Sequence, residues 1–176
     1  MTVSRPTIVP AHNDYSAWQK ALHWTVVGLV IVQIWSAGGI GRSHADHVAG
    51  LEPSRLDLIL HEIHTFLGLL IGALVVLRIL LRVASKAPAQ DRTLHSAVRL
   101  GACVNHWALY AVLLLLPVTG IGARYIDFET IGPVHVLLTR ILFLLVTIHI
   151  AAALWHLLRR DGVARRMLPS RLLRGR

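Results

Sequence analysis

Four histidines lie inside apolar stretches of this sequence, and their spacing indicates cofactor chemistry. They are His23, His64, His135 and His149. A polar side chain inside a membrane span is costly, so by default it marks a functional site. His135 and His149 are 14 positions apart, or four turns of about 3.5 residues, which places both on nearly one face of one helix, roughly 21 Å apart along its axis. Such a face suits two haem groups, one near each side of a membrane.

The composition indicates that these histidines lie in a membrane domain. Of the 176 residues, 55% are hydrophobic and 15% are charged, and the mean hydropathy is +0.59. A soluble domain usually has about a quarter of its residues charged, so a single membrane domain is expected. The net charge of +9 is not assigned to nucleic-acid binding, because the basic residues flank apolar segments, as membrane topology requires.

The single cysteine, Cys103, limits how a haem could be held. One cysteine forms no intrachain disulfide and cannot make the C-x-x-C-H motif that attaches a c-type haem. We therefore expect any haem to be bound without a covalent link. Cys103 itself is interpreted as a small packing residue.

Four apolar runs predict an all-α fold, an integral membrane four-helix bundle. Each run supplies the roughly 20 residues that cross a ~30 Å hydrocarbon core. The first run could instead be a signal peptide, but it carries Trp and His and no A-x-A site follows it. The predicted organisation is a polar N-terminal extension (1–17), a four-helix domain (18–169) with helices at about 18–40, 57–84, 97–122 and 132–159, and a basic tail (160–176). Residues 41–57 are predicted to be a loop, and Pro117 is expected to kink the third helix.

The distribution of charge predicts which side of the membrane each loop faces. The loops after the first and third helices are mixed in sign, whereas the segment between the second and third helices and the tail are basic. Both termini are therefore expected to face the cytoplasm. The basic residues are Arg78, Arg82, Lys86, Arg92 and Arg99, and then Arg159, Arg160, Arg165, Arg166, Arg171, Arg174 and Arg176.

This topology sorts the four histidines into two pairs. His23 and His149 fall at similar depth toward the cytoplasm, and His64 and His135 at similar depth toward the outer face. A haem takes two axial imidazoles from facing helices, and helix bundles build such sites in their cores. Any one of these histidines could be a hydrogen-bonded packing residue, but four at matched depths favour two bis-histidine haems. Full ligation leaves no open iron position, so the expected chemistry is one-electron transfer.

Several other residues are candidates for the same sites. His61 is a rival to His64, and His106 could replace His23, bond a haem propionate or line a quinone site. Gly68, one turn after His64, either leaves room for the haem ring or packs helices together with Gly72. Arg140, within the fourth helix, is expected to reach a propionate or to snorkel to the outer interface.

Three arginines are candidate partners of haem propionates. Arg78 and Arg82 could pair with those of the inner haem or simply anchor the second helix. Arg124 could serve the outer haem, attract an anion such as superoxide or be an ordinary loop charge.

Several motifs resemble the bacterial cytochrome b561 family over about residues 15–169. They are Trp18-Gln19-Lys20-Ala21-Leu22-His23-Trp24, His64-x3-Gly68 with Arg78 to Arg82, His106-Trp107-Ala108-Leu109-Tyr110 with Pro117 to Gly120, and His135, His149 and His156 with Arg166-Met167-Leu168-Pro169. The resemblance implies a four-helix membrane cytochrome with two b-type haems. It implies His23, His64, His135 and His149 as axial ligands, and electron exchange with quinone. Some members oxidise superoxide at the outer face and pass the electron to ubiquinone.

The resulting hypothesis is a multi-pass cytochrome of the bacterial inner membrane that carries single electrons between an outer-face donor and membrane quinone. One alternative is a cytochrome b anchor subunit of a larger dehydrogenase or hydrogenase, which would need a soluble partner. Another is a haem-free metal transporter or membrane scaffold. A transporter would favour carboxylates, Cys or Met within its spans, and the apolar parts of the first and third helices contain no Asp or Glu.

Overall fold

The computed structural model describes residues 15–84 and 95–168. They form four long helices, α1 (Ala17–Val48), α2 (Arg55–Ala84), α3 (Ser96–Tyr125) and α4 (Phe128–Arg159), and a short 3-10 helix, Ala164–Met167. Each long helix is long and apolar enough to cross a membrane. The predicted all-α membrane bundle is thereby confirmed.

Helix α1 is longer than its apolar run. It begins after Ser16, whose side chain accepts from the Gln19 amide while the Gln19 side chain accepts from the Ser16 amide. This capping box satisfies two backbone donors at the start of the helix. The helix continues to Val48 and α2 begins at Arg55, so the prediction of a loop over 41–57 was wrong for residues 41–48 and 55–57. No proline interrupts this stretch before Pro53, and Arg42 pairs with Asp57 of α2 at 2.5 Å, which holds the extra turns against α2.

Helices α3 and α4 approach each other more closely in sequence than the apolar runs indicated. Helix α3 passes through Pro117 and ends at Tyr125, and α4 begins at Phe128. Asp127 caps α4 by accepting from the Thr130 amide at 3.2 Å. Pro133 lies inside the second turn, where a missing amide hydrogen removes only one helical hydrogen bond.

The helices pack as two antiparallel hairpins. Helix α1 lies along α2, α3 lies along α4, and α2 packs against α3. The buried centre is formed by Val26, Ile71, Val75 and Tyr110. Glycines permit close approach at two points: a Cβ at Gly39 would lie 2.6 Å from Leu60 Cβ, and one at Gly72 would lie 3.0 Å from Pro117 Cγ.

Large apolar side chains cover the outside of the bundle. Leu137, Phe143 and Leu144 of α4 are 55%, 49% and 61% exposed, and the other helices show similar faces. An apolar exterior of this extent is expected of a surface in contact with lipid. Arg140 lies on this exposed side of α4. The predicted basic residues Lys86, Arg92, Arg171, Arg174 and Arg176 lie outside the described residues.

Candidate functional site

The rings of His64 and His135 meet at the end of the bundle that carries the α1–α2 and α3–α4 connections. Their centroids are 6.3 Å apart, and the ring planes are inclined by 68°. His64 comes from the first half of α2 and His135 from the first third of α4. The ring that meets His135 is therefore that of His64, whereas His61 was the rival considered from the sequence.

Hydrogen bonds orient both of these rings. His64 Nδ1 lies 3.2 Å from the Gln33 carbonyl oxygen and 3.2 Å from Ser36 Oγ. His135 Nδ1 lies 3.0 Å from Thr119 Oγ1, whose own hydroxyl donates to the Leu115 carbonyl at 2.9 Å. Each Nδ1 is therefore the donor, and in a neutral imidazole the other nitrogen, Nε2, then carries the lone pair. This is the arrangement that fixes a metal-binding histidine.

His23 and His149 meet near the opposite end of the bundle. Their ring centroids are 6.2 Å apart, and their planes are inclined by 63°. His106 of α3 joins them, with its centroid 5.1 Å from that of His149 and its plane nearly perpendicular. His106 Nδ1 donates to the Ala102 carbonyl of its own helix at 2.6 Å. Three imidazoles thus converge at this end, and both His23 and His106 are within reach of His149.

The separations within the two pairs fit axial ligation. An imidazole nitrogen bonds a transition metal at about 2 Å, so two rings on opposite sides of one ion have centroids about 6 Å apart. The His23–His149 and His64–His135 separations match this distance, whereas His106 and His149 are closer. Although three imidazoles lie close together near His149, no group of three His, Cys, Asp or Glu side chains within residues 15–84 and 95–168 is arranged so that it could hold a metal ion by itself. Paired imidazoles suit a haem iron, whose remaining four ligands come from the macrocycle.

A buried guanidinium lies beside the His23–His149 pair. The positive charge of Arg78 acts on His23, His106 and His149. Arg78 Nη1 is buried and has no hydrogen-bond partner among the described residues. Arg82 lines the same small cavity, together with Tyr15, Gln19, Leu22, Leu81, His106, Tyr110 and Met167. A buried guanidinium nitrogen without a hydrogen-bond partner is unfavourable, so this position fits an anionic group such as a haem propionate.

Arg124 has a different environment. Its guanidinium pairs with the Glu62 carboxylate and donates to Thr65 Oγ1 at 2.7 Å. These contacts tie α3 to α2 and neutralise the arginine. A propionate or an incoming anion at Arg124 would have to compete with Glu62.

Comparison with known proteins agrees with this geometry. Residues 14–170 match the family model described as prokaryotic cytochrome b561. The chain belongs to the prokaryotic cytochrome b561 family. It is therefore a multi-pass bacterial membrane cytochrome that binds b-type haem and takes part in electron transfer.

This b561 cytochrome is also similar in sequence to two individual proteins. One is the probable superoxide oxidase CybB of Yersinia pestis, which is 26% identical over 182 aligned positions covering 91% of this chain and 98% of the relative. The other is a cytochrome b562 of Cereibacter sphaeroides, which is 28% identical over 142 positions covering 81% of this chain and 86% of the relative.

A C-terminal segment of this cytochrome folds back over the cavity that contains Arg78. After α4, Arg160 and Gly162 adopt positive φ angles of 56° and 82° and turn the chain. Trp24 Nε1 then donates to the Met167 carbonyl at 3.0 Å. The Trp24 ring also lies 5.5 Å from that of His23, so one residue ties the segment to the histidine pair.

The same segment is held to α4 by a hydrogen bond between His156 and Asp161. His156 Nδ1 lies 2.6 Å from Asp161 Oδ2, and the Asp161 carboxylate also accepts from the Val163 amide. Burial alone would raise the pKa of Asp161, but His156, the Val163 amide and Arg159 together hold it below its usual range. His156, which the sequence offered only as part of a family motif, anchors this segment to α4.

Sequence reasoning missed Gln33, Ser36 and Thr119 as contacts of the histidines. Of these three, Gln33 was the easiest to find from the sequence, since an amide inside an apolar run is a functional candidate in its own right. Ser36 and Thr119 carry no comparable signal, because hydroxyl side chains commonly bond to their own helix, as Ser36 and Thr119 also do here. Their role becomes visible only when the helices are placed side by side.

Proposed function

We propose that this chain is a di-haem b cytochrome of the bacterial inner membrane that carries single electrons between an outer-face donor and membrane quinone. In this proposal, His64 and His135 hold the outer haem, and His23 and His149 hold the inner one. The observation that carries the proposal is the matched geometry of two imidazole pairs, 6.3 and 6.2 Å between centroids, at opposite ends of one bundle. Bound haems would supply one-electron carriers at these two places.

The chain's own residues explain how such cofactors would be held without a covalent link. Gln33 and Thr119 fix the tautomers of the outer pair, so that each Nε2 is available to iron. Arg78 and Arg82 line the cavity beside the inner pair, where Arg78 Nη1 would gain an anionic partner in a propionate. Helices α1 and α4 contribute the inner pair, and α2 and α4 the outer pair.

One relative and the distribution of charge support the proposed direction of electron flow. The Yersinia pestis relative is a probable superoxide oxidase, which supports superoxide as the donor. Basic residues at the α2–α3 end and on the C-terminal segment support a cytoplasmic location for the inner pair. Quinone would approach through the apolar helix faces, where its ring and tail are soluble.

The first experiment measures haem per chain in the purified protein and in single histidine variants. We expect two b-type haems per chain, low-spin in both redox states. His64→Ala and His135→Ala should each lose the outer haem and keep the inner one, and His149→Ala the reverse. His47→Ala, in the exposed last turn of α1, is the matched control and should keep both. Two full haems in His64→Ala or His135→Ala would contradict the outer pairing.

A second experiment separates His23 from His106 as the partner of His149. If His23 is the ligand, His23→Ala loses the inner haem while His106→Ala retains it. The opposite result would assign the site to His106. Superoxide consumption with a soluble quinone, compared in the parent and in His64→Ala, then tests the proposed donor, because the reaction should require the outer haem.

A further inference from the structure

Gln33 makes two contacts with His64 from the facing helix. Its side-chain Nε2 donates to the His64 carbonyl oxygen at 2.9 Å. Its backbone carbonyl oxygen lies 3.2 Å from His64 Nδ1. One residue of α1 therefore contacts both the backbone and the ring of the same α2 histidine. This double contact fixes the relative position of the two helices at the level of His64.

Ser36 supplies a second oxygen to the same ring nitrogen. Ser36 is fully buried, at 0% exposure, and its Oγ lies 3.2 Å from His64 Nδ1. Its hydroxyl donates to the Gln33 carbonyl at 3.2 Å. The Nδ1 hydrogen of His64 thus faces two oxygens of α1, one of them on a fully buried side chain. Hydrogen bonds in such surroundings hold a ring more firmly than exposed ones do.

Gly68 makes room for this arrangement on α2. A Cβ at Gly68 would lie 2.8 Å from Gln33 Nε2, which is closer than real Cβ contacts allow. The absent side chain therefore lets the Gln33 amide lie across α2 and reach the His64 carbonyl. Of the two roles that the sequence suggests for Gly68, close helix packing is the one that these distances account for.

We propose that Gln33, Ser36 and Gly68 form a clamp that sets the orientation and basicity of His64 as a haem ligand. Gln33 and Ser36 are positioning residues, and the inference rests on the proposed function of His64. A hydrogen bond that Nδ1 donates to an oxygen raises the basicity of Nε2, and hydrogen bonding to an axial ligand adjusts the reduction potential of the iron. A more basic ligand favours ferric iron, so the clamp lowers the potential of the outer haem.

The test uses purified full-length protein, with potentials and low-spin EPR signals resolved for each haem. Ser36→Ala removes one of the two oxygens that contact Nδ1. Gln33→Met keeps the backbone carbonyl but removes the amide that holds the His64 backbone, so the ring is released from its fixed position against that carbonyl. Both variants should raise the outer-haem potential and change its EPR signal, and should weaken haem retention at least about 10-fold in competition with apo-protein. The inner haem is the internal reference and should not change. Thr147→Val removes a hydroxyl that bonds the Phe143 carbonyl of its own helix and should change neither haem.

A double variant tests whether the space at Gly68 serves the Gln33 amide or a haem ring. Gly68→Ala alone should reproduce the effect of Gln33→Met, because its methyl group displaces the Gln33 amide. In a Gln33→Ala background, Gly68→Ala should add nothing to the outer-haem shift, since the displaced group is already missing. An equal shift in both backgrounds would mean that Gly68 makes room for something other than Gln33, which would overturn its place in the clamp.

The remaining outcomes distinguish failure of the clamp from failure of the proposed function. Two haems in the parent, with an unchanged outer potential and EPR signal in Ser36→Ala and Gln33→Met, would overturn the clamp and leave the function intact. An outer haem that survives His64→Ala would overturn both. Ser36→Ala removes a single oxygen atom, so it keeps the test decisive if the Gln33 variants do not fold.

Discussion

The two histidine pairs differ in the chemistry of their surroundings. The rings of His64 and His135 donate hydrogen bonds to uncharged oxygens of neighbouring helices. The His23–His149 pair lies beside the guanidinium of Arg78 and the ring of His106. Neighbouring positive charge favours the reduced state of an iron centre, and donated hydrogen bonds favour the oxidised one. These environments would make the inner site the better electron acceptor.

Asp127 provides a pH test at the level of one residue. Hydrogen bonds from the side chain and the backbone amide of Thr130 hold the pKa of Asp127 below its usual value. Its contribution to stability is therefore complete above the unfolded pKa of about 3.9 and is lost as the pH falls through the lower folded pKa.

Asp127→Asn isolates this titration, because asparagine caps a helix about as well but carries no charge. The difference in melting temperature between the parent and Asp127→Asn should be constant above about pH 5 and should change below about pH 4, to the disadvantage of the parent. Circular dichroism melting curves of the detergent-solubilised proteins, recorded from above about pH 5 to well below about pH 4, measure this difference. A parallel pH dependence of the two proteins would contradict the assignment.

Sequence was informative for residues whose chemistry is rare in an apolar run, and less so for their partners. His23, His64, His135 and His149 stood out because each is polar and the intervals match helical depth. The spacing of Gln33 from these histidines in the sequence gives no sign of a contact, since Gln33 of α1 reaches His64 of α2 only when the two helices pack together. The sequence also suggested a propionate partner in Arg124, and Glu62, which neutralises it, lies on a different helix.

Among the elements, α1 and α2 have a contact that depends on a single missing side chain. A Cβ at Gly39 would lie 2.6 Å from Leu60 Cβ and 3.1 Å from the Asp57 carbonyl oxygen. The backbone carbonyl cannot move without disturbing the start of α2. The Arg42–Asp57 pair lies beside this contact, because the same Asp57 also approaches Gly39 through its backbone carbonyl.

We therefore expect Gly39→Ala to lower the free energy of unfolding by about 1–3 kcal/mol, as overpacked cores do. Gly28→Ala on the same helix is the control, since a Cβ there meets nothing within 4 Å. Removing glycine from a helix interior should leave stability unchanged or raise it by roughly 0.5–1 kcal/mol. Unfolding in mixed micelles measures both. Equal stability of the two variants would show that α1 and α2 do not approach this closely.

The ends of the helices were harder to predict than their number. Hydropathy locates the part of a helix that lies in lipid, so it found four spans but placed the end of α1 near residue 40 rather than Val48. The additional turns are held by a polar contact, Arg42 with Asp57, that hydropathy does not register. The fourth helix was predicted to start at about residue 132, whereas the cap provided by Asp127 sets α4 to begin at Phe128.

For the whole molecule, the helices are longer than the membrane is thick. A helix of 32 residues, such as α1 or α4, is about 48 Å long at ~1.5 Å per residue, against a ~30 Å hydrocarbon core. Several turns therefore extend into the polar layers. The ion pairs Arg42–Asp57 and Arg124–Glu62 lie in such turns at one end.

Charge asymmetry between the two ends predicts the orientation of the bundle. Arg78, Arg82 and Arg99 lie at one end with the basic C-terminal segment, so this end should face the cytoplasm. Alkaline phosphatase inserted after Leu51 should therefore be active, and green fluorescent protein fused after Leu168 should fluoresce. Exchanging the two reporters should silence both. Active phosphatase at Leu168 would reverse the assignment of the inner and outer sites.

Helix α4 supplies one ring to each pair, and this has a consequence for biogenesis. A ribosome makes α1 and α2 well before α4, so His23 and His64 enter the membrane without the partners that His149 and His135 provide. A nascent chain of three helices would offer His64 at one end and His23 with His106 at the other, without the α4 ring that completes each proposed pair. If both pairs hold haem as proposed, stable loading would have to wait for α4, and haem acquisition would then report insertion of all four helices.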